Sequence, residues 1–540
     1  MSHLHVTDLA YAHPGGDLLF SGASFRLKPG QHAALVGANG VGKTTLLKVV
    51  AGVLAADGGE VAAGGRIAMM PQDVGVGDED RTVRELLLSV ADAPLRDAGT
   101  RMAQHELETT DPDPEAAARA GMAFAEAIDD WGRGGGYELE AQWDAACRRV
   151  VGAGLSEVGD RPAVTLSGGE RKRLVLDLLL ASDAAIVLLD EPDNFLDIPG
   201  KRALEAAVRG SRKTILMISH DREVLSAAVD SIVTLEAGGA WVHGDAYGTY
   251  PEAREARRRR MGDRLKQWKE EERRLRDYVR ILKERARYSP DFAKKADAAE
   301  TRWKRFVDAG PPPAPAVDHA ITVRLRGGDS ARRVLDLRAL GIDDLMRPLT
   351  DEVHFGERVG LIGPNGSGKT HLVRLIAGED VPHSGALVQG PRVSVGVFSQ
   401  LNARTDFAGR TCLEIVHERT ADHQRAMGAL ARYGLVDAHD RAYDVLSGGQ
   451  KARLEILCLE LEGHNLLLLD EPTDNLDIDS CAALEQALEG FEGTVVAVSH
   501  DRAFLRGLDR FWLLGHDGRV RALGSPDEAI AALEQGVGAR

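Results

Sequence analysis

Four stretches of this 540-residue chain occur twice, in the same order, and that duplication limits the possible fold more than any other feature. "LVGANGVGKTTL" at 35–46 returns as "LIGPNGSGKTHL" at 361–372, and "LSGGERKRLVLDLLL" at 166–180 as "LSGGQKARLEILCLE" at 446–460. "VLLDEPDNFLD" at 187–197 returns as "LLLDEPTDNLD" at 467–477, and "ISHDREVL" at 218–225 as "VSHDRAFL" at 498–505. Gln72 and Gln400 are offset by 328, whereas Ser167 and Ser447, like Glu191 and Glu471, are offset by 280. The first copy therefore carries 48 extra residues between Gln72 and Ser167. They include "PDPEAAARAGMAFAEAIDDW", whose periodicity predicts helix.

Between the copies the chain changes character. Residues 254–305 hold 20 Lys and Arg against 10 Asp and Glu, a surplus of +10 in a chain of net charge −16. Apolar residues recur at Met261, Leu265, Trp268, Leu275, Val279 and Leu282, with Glu272 breaking one step, and resume at Phe292, Ala296, Ala299, Trp303 and Phe306. Pro290 stops a helix, and "AGPPPAP" at 309–315 ends the second one. The expectation is an antiparallel helical hairpin with a tight tip at Tyr288–Asp291 and a longer arm reaching roughly 50 Å.

No run of apolar residues is long enough to span a membrane, and no basic-then-apolar leader opens the chain. The most apolar stretches are short and end in acid, as buried strands do. The cysteines Cys147, Cys412, Cys458 and Cys481 are scattered, with no pair at metal-binding spacing. A reduced, cytoplasmic protein without membrane insertion is expected.

Gly37 to Thr44 and Gly363 to Thr370 fit the G-x-x-x-x-G-K-[ST] phosphate loop, each after an apolar strand and before an apolar helix. Gly37, Gly40, Gly42 and their counterparts Gly363, Gly366 and Gly368 let backbone N–H groups close around phosphate oxygens. A helix N-terminus adds partial positive charge, Lys43 or Lys369 bridges the outer phosphates, and Thr44 or Thr370 offers a hydroxyl to magnesium. Asp190-Glu191 and Asp470-Glu471 end apolar strands, where α/β sheets bind ligands. The first acid of each pair suits the magnesium shell, and the second suits orientation or deprotonation of an attacking water.

In this order, phosphate loop, Gln, "LSGGE/Q", "LLDEP" and "SHD" resemble the ATP-binding cassette superfamily over nearly the whole chain except the central hairpin. The resemblance implies an α/β fold of two tandem P-loop cassettes, paired head to tail within one chain, hydrolysing ATP with Mg2+. Site one would join Lys43, Thr44, Gln72, Asp190, Glu191 and His220 to Ser447, Gly448 and Gly449. Site two would join Lys369, Thr370, Gln400, Asp470, Glu471 and His500 to Ser167, Gly168 and Gly169. Glu191, Glu471, His220 and His500 would be catalytic, and Thr44, Gln72, Thr370 and Gln400 would face the metal. Asn39, Thr45 and Asn365 belong to the nucleotide-binding loops, and Tyr11 stands where an aromatic stacks on adenine. The second copy has no aromatic at that position, His371 replaces the second hydroxyl residue after the lysine, and Asp193 and Phe195 replace the usual Thr and His. These departures imply unequal sites.

Two cassettes, no span and a basic hairpin resemble the ABC-F subfamily, whose members bind the ribosome. The expected units are a first cassette at 1–245 with a helical insert at about 82–150, a basic hairpin at 246–316, and a second cassette at 317–540. The resemblance implies a 70S ribosome partner, with ribosomal RNA and tRNA met by Arg257, Arg258, Arg259, Arg260, Tyr288, Lys294 and Lys295. The compact "RYSPDF" turn favours a translation factor. The alternatives are an antibiotic-resistance protein that protects the ribosome and an exporter ATPase with separate membrane subunits.

Overall fold

The computed structural model describes residues 2–13, 15–16, 18–71, 74, 81–110, 112–236, 239–315, 321–398 and 405–535. Runs such as "HAALV", "IVLLD" and "TILMI" are buried from end to end. They form the centre of a six-stranded sheet in the order Ile67–Met70, Ile186–Asp190, Thr214–Ile218, His32–Val36, Ser231–Glu236 and Gly239–His243. Its first five strands are parallel and the sixth antiparallel, so continuous apolar runs replace the alternation of a half-exposed sheet. A three-stranded antiparallel sheet, Leu18–Leu27, Leu4–Ala12 and Gly58–Ala63, packs beside it.

The second cassette repeats both sheets. Its six strands run Val395–Phe398, Leu466–Asp470, Thr494–Val498, Arg358–Ile362, Arg510–Leu514 and Val520–Leu523. Its three are Met346–His354, Arg333–Ile342 and His383–Gln389. In both cassettes the strand ending in Asp-Glu lies two places from the strand that feeds the phosphate loop.

The extra length of the first copy resolves into two helices. Thr82 and Thr411 occupy equivalent entries to the helical layer, each closing a capping box, with Glu85 and Glu414. In the second cassette the helices Cys412–Thr420 and His423–Arg432 follow. In the first, Val83–Ser89 and Gly136–Val150 are separated by a helical pair, Ala93–Glu108 and Pro114–Arg133. The pair is rooted by Arg101 on Asp130 at 2.9 Å and by the buried indoles of Trp131 and Trp143, 6.0 Å apart. The insertion is thus narrower than the expected 82–150.

The hairpin consists of helices Tyr250–Ala286 and Asp291–Asp308, with residues 287–290 at the turn. Its 37-residue arm is about 55 Å long at 1.5 Å per residue. Leu275, Val279, Leu282 and Ala296 are buried between the helices, and Trp268 stacks on Phe306 at 5.3 Å. Glu272, which breaks the apolar pattern, accepts the Trp303 indole N–H at 3.1 Å. Among the described residues no helix is long and apolar enough to cross a membrane, and the four cysteines are buried and form no disulfide.

Candidate nucleotide sites between the cassettes

Each phosphate loop turns into its helix through a glycine in the left-handed region, Gly42 at φ 100° and Gly368 at φ 99°, which a side chain would strain. Lys43 Nζ donates to the carbonyls of Gly37 at 2.9 Å and Ala38 at 3.2 Å, and Lys369 Nζ to those of Gly363 at 2.8 Å and Pro364 at 2.9 Å. Burial lowers the proton affinity of both lysines. The signature serines cap their helices, with Ser167 accepting the Glu170 N–H and Ser447 the Gln450 N–H. The S-x-x-E/Q pattern is a capping box legible in the sequence.

The two halves meet head to tail. A cavity of about 380 Å³ is bordered by Asn39, Gly40, Gly42, Lys43, Thr44, Thr45 and Glu191 on one side, and by Ser447, Gly448 and Gly449 on the other. A second, of about 600 Å³, brings Asn365, Gly366, Gly368, Lys369, Thr370, Asp470, Glu471 and His500 against Gly168 and Gly169. It continues between the cassettes to Glu191 and His220. Gln72 and Gln400 lie outside the described residues.

Several residues stand elsewhere than expected, or do more. Tyr11 is one layer behind the cavity: its ring stacks on Phe20 at 6.3 Å and meets His13 edge-on at 6.0 Å. His13 and Leu19 line the cavity instead. Asn39 reaches across the interface, its backbone N–H donating to Asp477 at 3.2 Å and its side-chain amide to the Asn475 carbonyl at 2.9 Å. Asn365 makes the equivalent bond to the Phe195 carbonyl at 3.2 Å. Phe195 and Asn475 both hold left-handed backbone, φ 67° and 63°, which asparagine tolerates better than phenylalanine. The first-site loop has an added brace, since Lys172 Nζ donates to the Glu191 carbonyl at 2.6 Å and lies 5.3 Å over the Phe195 ring. Alanine, Ala452, stands at its counterpart.

The acids and histidines sit in low-dielectric surroundings. Thr44 Oγ1 donates to Asp190 Oδ1 at 3.3 Å, while Asp190 Oδ2 is buried without a hydrogen-bond partner among the described residues. Burial raises the pKa of Asp190 and of Asp470, which has the Thr370 hydroxyl beside it. A buried carboxylate oxygen left open beside a threonine hydroxyl fits a hard divalent cation with oxygen ligands. Glu191 and Glu471 both adopt strained positive φ, 47° and 49°. Burial and the neighbouring Asp474 push the Glu471 carboxyl up to about 8. His220 Nε2 stands 4.0 Å from Glu191, and His500 Nε2 3.4 Å from Glu471. Burial, followed by Lys43, pushes His220 down to about 3, and burial with Lys369 lowers His500 likewise, so both imidazoles are neutral at physiological pH.

The profile of the family described as "ABC transporter" matches residues 20–194 and 346–474. The chain belongs to the ATP-binding cassette family, and its type is ABC-F. This ABC-F protein is 42% identical over 547 residues to a Mycobacteroides abscessus protein called "Antibiotic resistance protein", covering 96% of this chain and 99% of the relative. It is 31% identical to the tylosin resistance ATP-binding protein TlrC of Streptomyces fradiae, over 90% of this chain and 92% of that one. It is also 31% identical to the probable ATP-binding protein YheS of Escherichia coli, over 94% and 78%. Among solved structures, an archaeal ribosome recycling factor, aABCE1, in complex with the stalk protein aP1 aligns with a TM-score of 0.60 at 20% identity, over 97% of this chain and 92% of that one. At that identity the likeness shows the shared fold alone.

The expected RNA-facing residues of the ABC-F protein divide into two groups. Lys294, Lys295, Arg259 and Arg260 are exposed, and Tyr288 at the turn is 90% exposed. Arg257 and Arg258 are half-buried, and the Arg257 guanidinium lies 5.1 Å over the Trp241 ring of the first cassette, a packing role at the hairpin root.

Proposed function

We propose that this ABC-F protein hydrolyses ATP at two composite sites, with magnesium, and uses that cycle at the ribosome to confer antibiotic resistance. ATP bound on Lys43 meets the signature loop Ser447–Gly449, and ATP bound on Lys369 meets Ser167–Gly169, so nucleotide holds the cassettes together. Thr44 with Asp190, and Thr370 with Asp470, would hold the magnesium ion, which neutralises phosphate charge when bound. Glu191 and Glu471 orient and deprotonate the attacking water. The neutral His220 and His500 beside them sense the terminal phosphate. The closed form grips the ribosome through the basic hairpin, and hydrolysis releases it.

The observation that carries the resistance reading is the 42% identity, across 99% of its length, to a relative called an antibiotic resistance protein, supported by TlrC. It outweighs the short hairpin turn, the feature that favoured a translation factor. That second reading still has the four-residue turn at 287–290 on its side. The test is expression in a drug-sensitive bacterium. A rise of fourfold or more in the inhibitory concentration of tylosin, or of another ribosome-targeting drug, that disappears in Glu191→Gln/Glu471→Gln supports resistance. Unchanged drug sensitivity, with ATP-dependent retention of that double variant on 70S ribosomes, supports a translation factor. Retention in neither ATP nor ADP removes the ribosome from the proposal.

A further inference from the structure

Lys201 is a buried cation in the contact between the cassettes that the duplication does not repeat. Lys201 lies on the helix Ile198–Gly210, just beyond the "DEPDNFLD" loop of the first cassette, and is 8% exposed. Its counterpart at the 280-residue offset is Cys481, whose Sγ faces the carbonyls of Thr473 and Leu476 in its own loop. Lys201 Nζ donates to Asp221 Oδ2 at 2.8 Å and, across the interface, to the backbone carbonyl of His500 at 3.1 Å. The Asp221 anchor is fixed independently, because its Oδ1 accepts the N–H groups of Glu223 and Val224 at the start of a helix. At the far end, the His500 N–H donates to Glu471 Oε2 at 3.0 Å, with its imidazole 3.4 Å from Oε1. A rigid sequence of contacts thus leads from the first cassette to the carboxylate of the second site.

The first site is assembled differently. No lysine reaches the His220 carbonyl from position 481, and the imidazole stands 4.0 Å from Glu191. Glu191 Oε2 accepts a bond from the side-chain amide of Asn194, from its own loop, at 2.6 Å. The second copy has Asp474 there, which when ionised offers no such donor.

We infer that Lys201 is a positioning residue of the second nucleotide site, supplied by the first cassette and without a counterpart at the first site. By fixing the His500 peptide it holds both His500 contacts on Glu471, so the water-activating carboxylate is aligned when the cassettes close. The two sites then turn over through different supports, with site two depending on closure across the interface. This rests on the proposed ATPase reading.

The experiment measures ATP turnover at each site separately, with Glu191→Gln leaving site two to be read and Glu471→Gln leaving site one. Lys201→Met is placed in both backgrounds, and Lys201→Met/Asp221→Asn accompanies it so that Asp221, the carboxylate bonded to Lys201, is not left charged without it. Loss of kcat by about tenfold or more at site two, with KM within about threefold and less than about threefold loss at site one, is the expected result. Partial recovery in Lys201→Arg, which keeps a donor, accompanies it. Equal losses at the two sites, or an unchanged site two, overturn the inference. If the single variant does not fold, the double variant gives the same readout. A parent protein without ATPase activity would refute the ATPase reading itself.

Discussion

Arg254, on the first turns of the long hairpin helix, faces Asp479 of the second cassette through two parallel bonds, Nη1 to Oδ1 at 2.7 Å and Nη2 to Oδ2 at 2.9 Å. The helix itself is rooted in the first cassette, where Tyr250 stacks on Trp241 at 5.8 Å and accepts the Thr234 hydroxyl proton at 3.0 Å. Two residues before Asp479, Asp477 accepts the Asn39 N–H of the first phosphate loop. The hairpin root therefore touches both cassettes next to a nucleotide site, and its direction is tied to their closure.

Breaking that pair weakens closure. A bidentate, partly buried Arg–carboxylate contact of this kind contributes about 1–2 kcal/mol. Arg254→Met or Asp479→Asn is expected to raise the ATP concentration for half-closure about five- to thirtyfold. The measurement is an inter-cassette spin-label distance in the Glu191→Gln/Glu471→Gln background. A double-mutant cycle with near-zero coupling between the two residues would contradict the latch.

The signature glycines give an asymmetric prediction. A Cβ on Gly449 would collide with the Asn39 side-chain amide and stand 3.0 Å from the Asn475 carbonyl, so the Asn39 amide would have to give up its bond across the interface at site one. At Gly169 the nearest atoms are 3.3 and 3.4 Å away, in its own cassette. Overpacking typically costs about 1–3 kcal/mol. Gly449→Ala is expected to raise the ATP requirement for closure about tenfold or more, and Gly169→Ala less than about threefold. Equal effects would show that the Asn39 contact does not limit closure.

What could be read from the residues was mostly local or repeated. The phosphate loops, the strands ending in Asp-Glu and the capped signature helices depend on neighbouring residues, and the duplication made each of them visible twice. The hairpin turn was legible from Pro290, and even its irregular Glu272 has a local partner in Trp303. Of the paired helices 93–133, the second is legible from the periodicity of "PDPEAAARAGMAFAEAIDDW", whereas the first and the bounds of the pair show only as excess length, because the flanking helices share that periodicity. The place of each signature loop opposite the other cassette's phosphate loop follows from the family resemblance, but the remaining contacts between the cassettes are not legible. Asn39 looks like a phosphate-loop residue, and nothing near Lys201 in the chain points to His500, 299 residues away. Which of the neighbouring side chains of the first strands borders the cavity is equally a matter of packing: Tyr11 stacks on Phe20, and His13 and Leu19 line the space.

The buried acids make both turnover and stability depend on pH. With its carboxyl pushed up to about 8, Glu471 is mostly protonated at pH 7 and cannot serve as a base in that form. In the Glu191→Gln background, turnover is expected to climb about tenfold per unit from pH 6 and level off near pH 8. A flat profile over that range would exclude Glu471 as the titrating base. The stability sign is opposite. Glu471 at about 8, and Asp193 and Asp474 at about 6, all lie above ordinary carboxyl values because of burial. Their contribution is fully present below the unfolded carboxyl pKa and is lost as pH rises through about 6 and then about 8. The nucleotide-free protein is therefore expected to melt at a lower temperature at pH 8.5 than at pH 7, a range above the ordinary histidine pKa in which the buried neutral His220 and His500 add no opposing trend, and a calorimetric series checks it.

The hairpin's charge can be tested without touching either cavity. Lys294 and Lys295 are exposed on the return helix, close to the turn, and Lys295 lies 5.4 Å over the Phe292 ring. If both meet phosphate, each contributes about 0.7–0.9 to the slope of log affinity against log salt. Lys294→Glu/Lys295→Glu is then expected to lower that slope by about 1.5 and weaken ATP-dependent retention on 70S ribosomes at least tenfold. Neither side chain borders a nucleotide cavity, so ATP turnover in the absence of ribosomes should stay within about twofold. Weaker retention with an unchanged salt slope would mean that the helix touches protein rather than RNA. An unchanged affinity would move the contact surface away from the return helix, towards the exposed Arg259 and Arg260 at the other end of the hairpin.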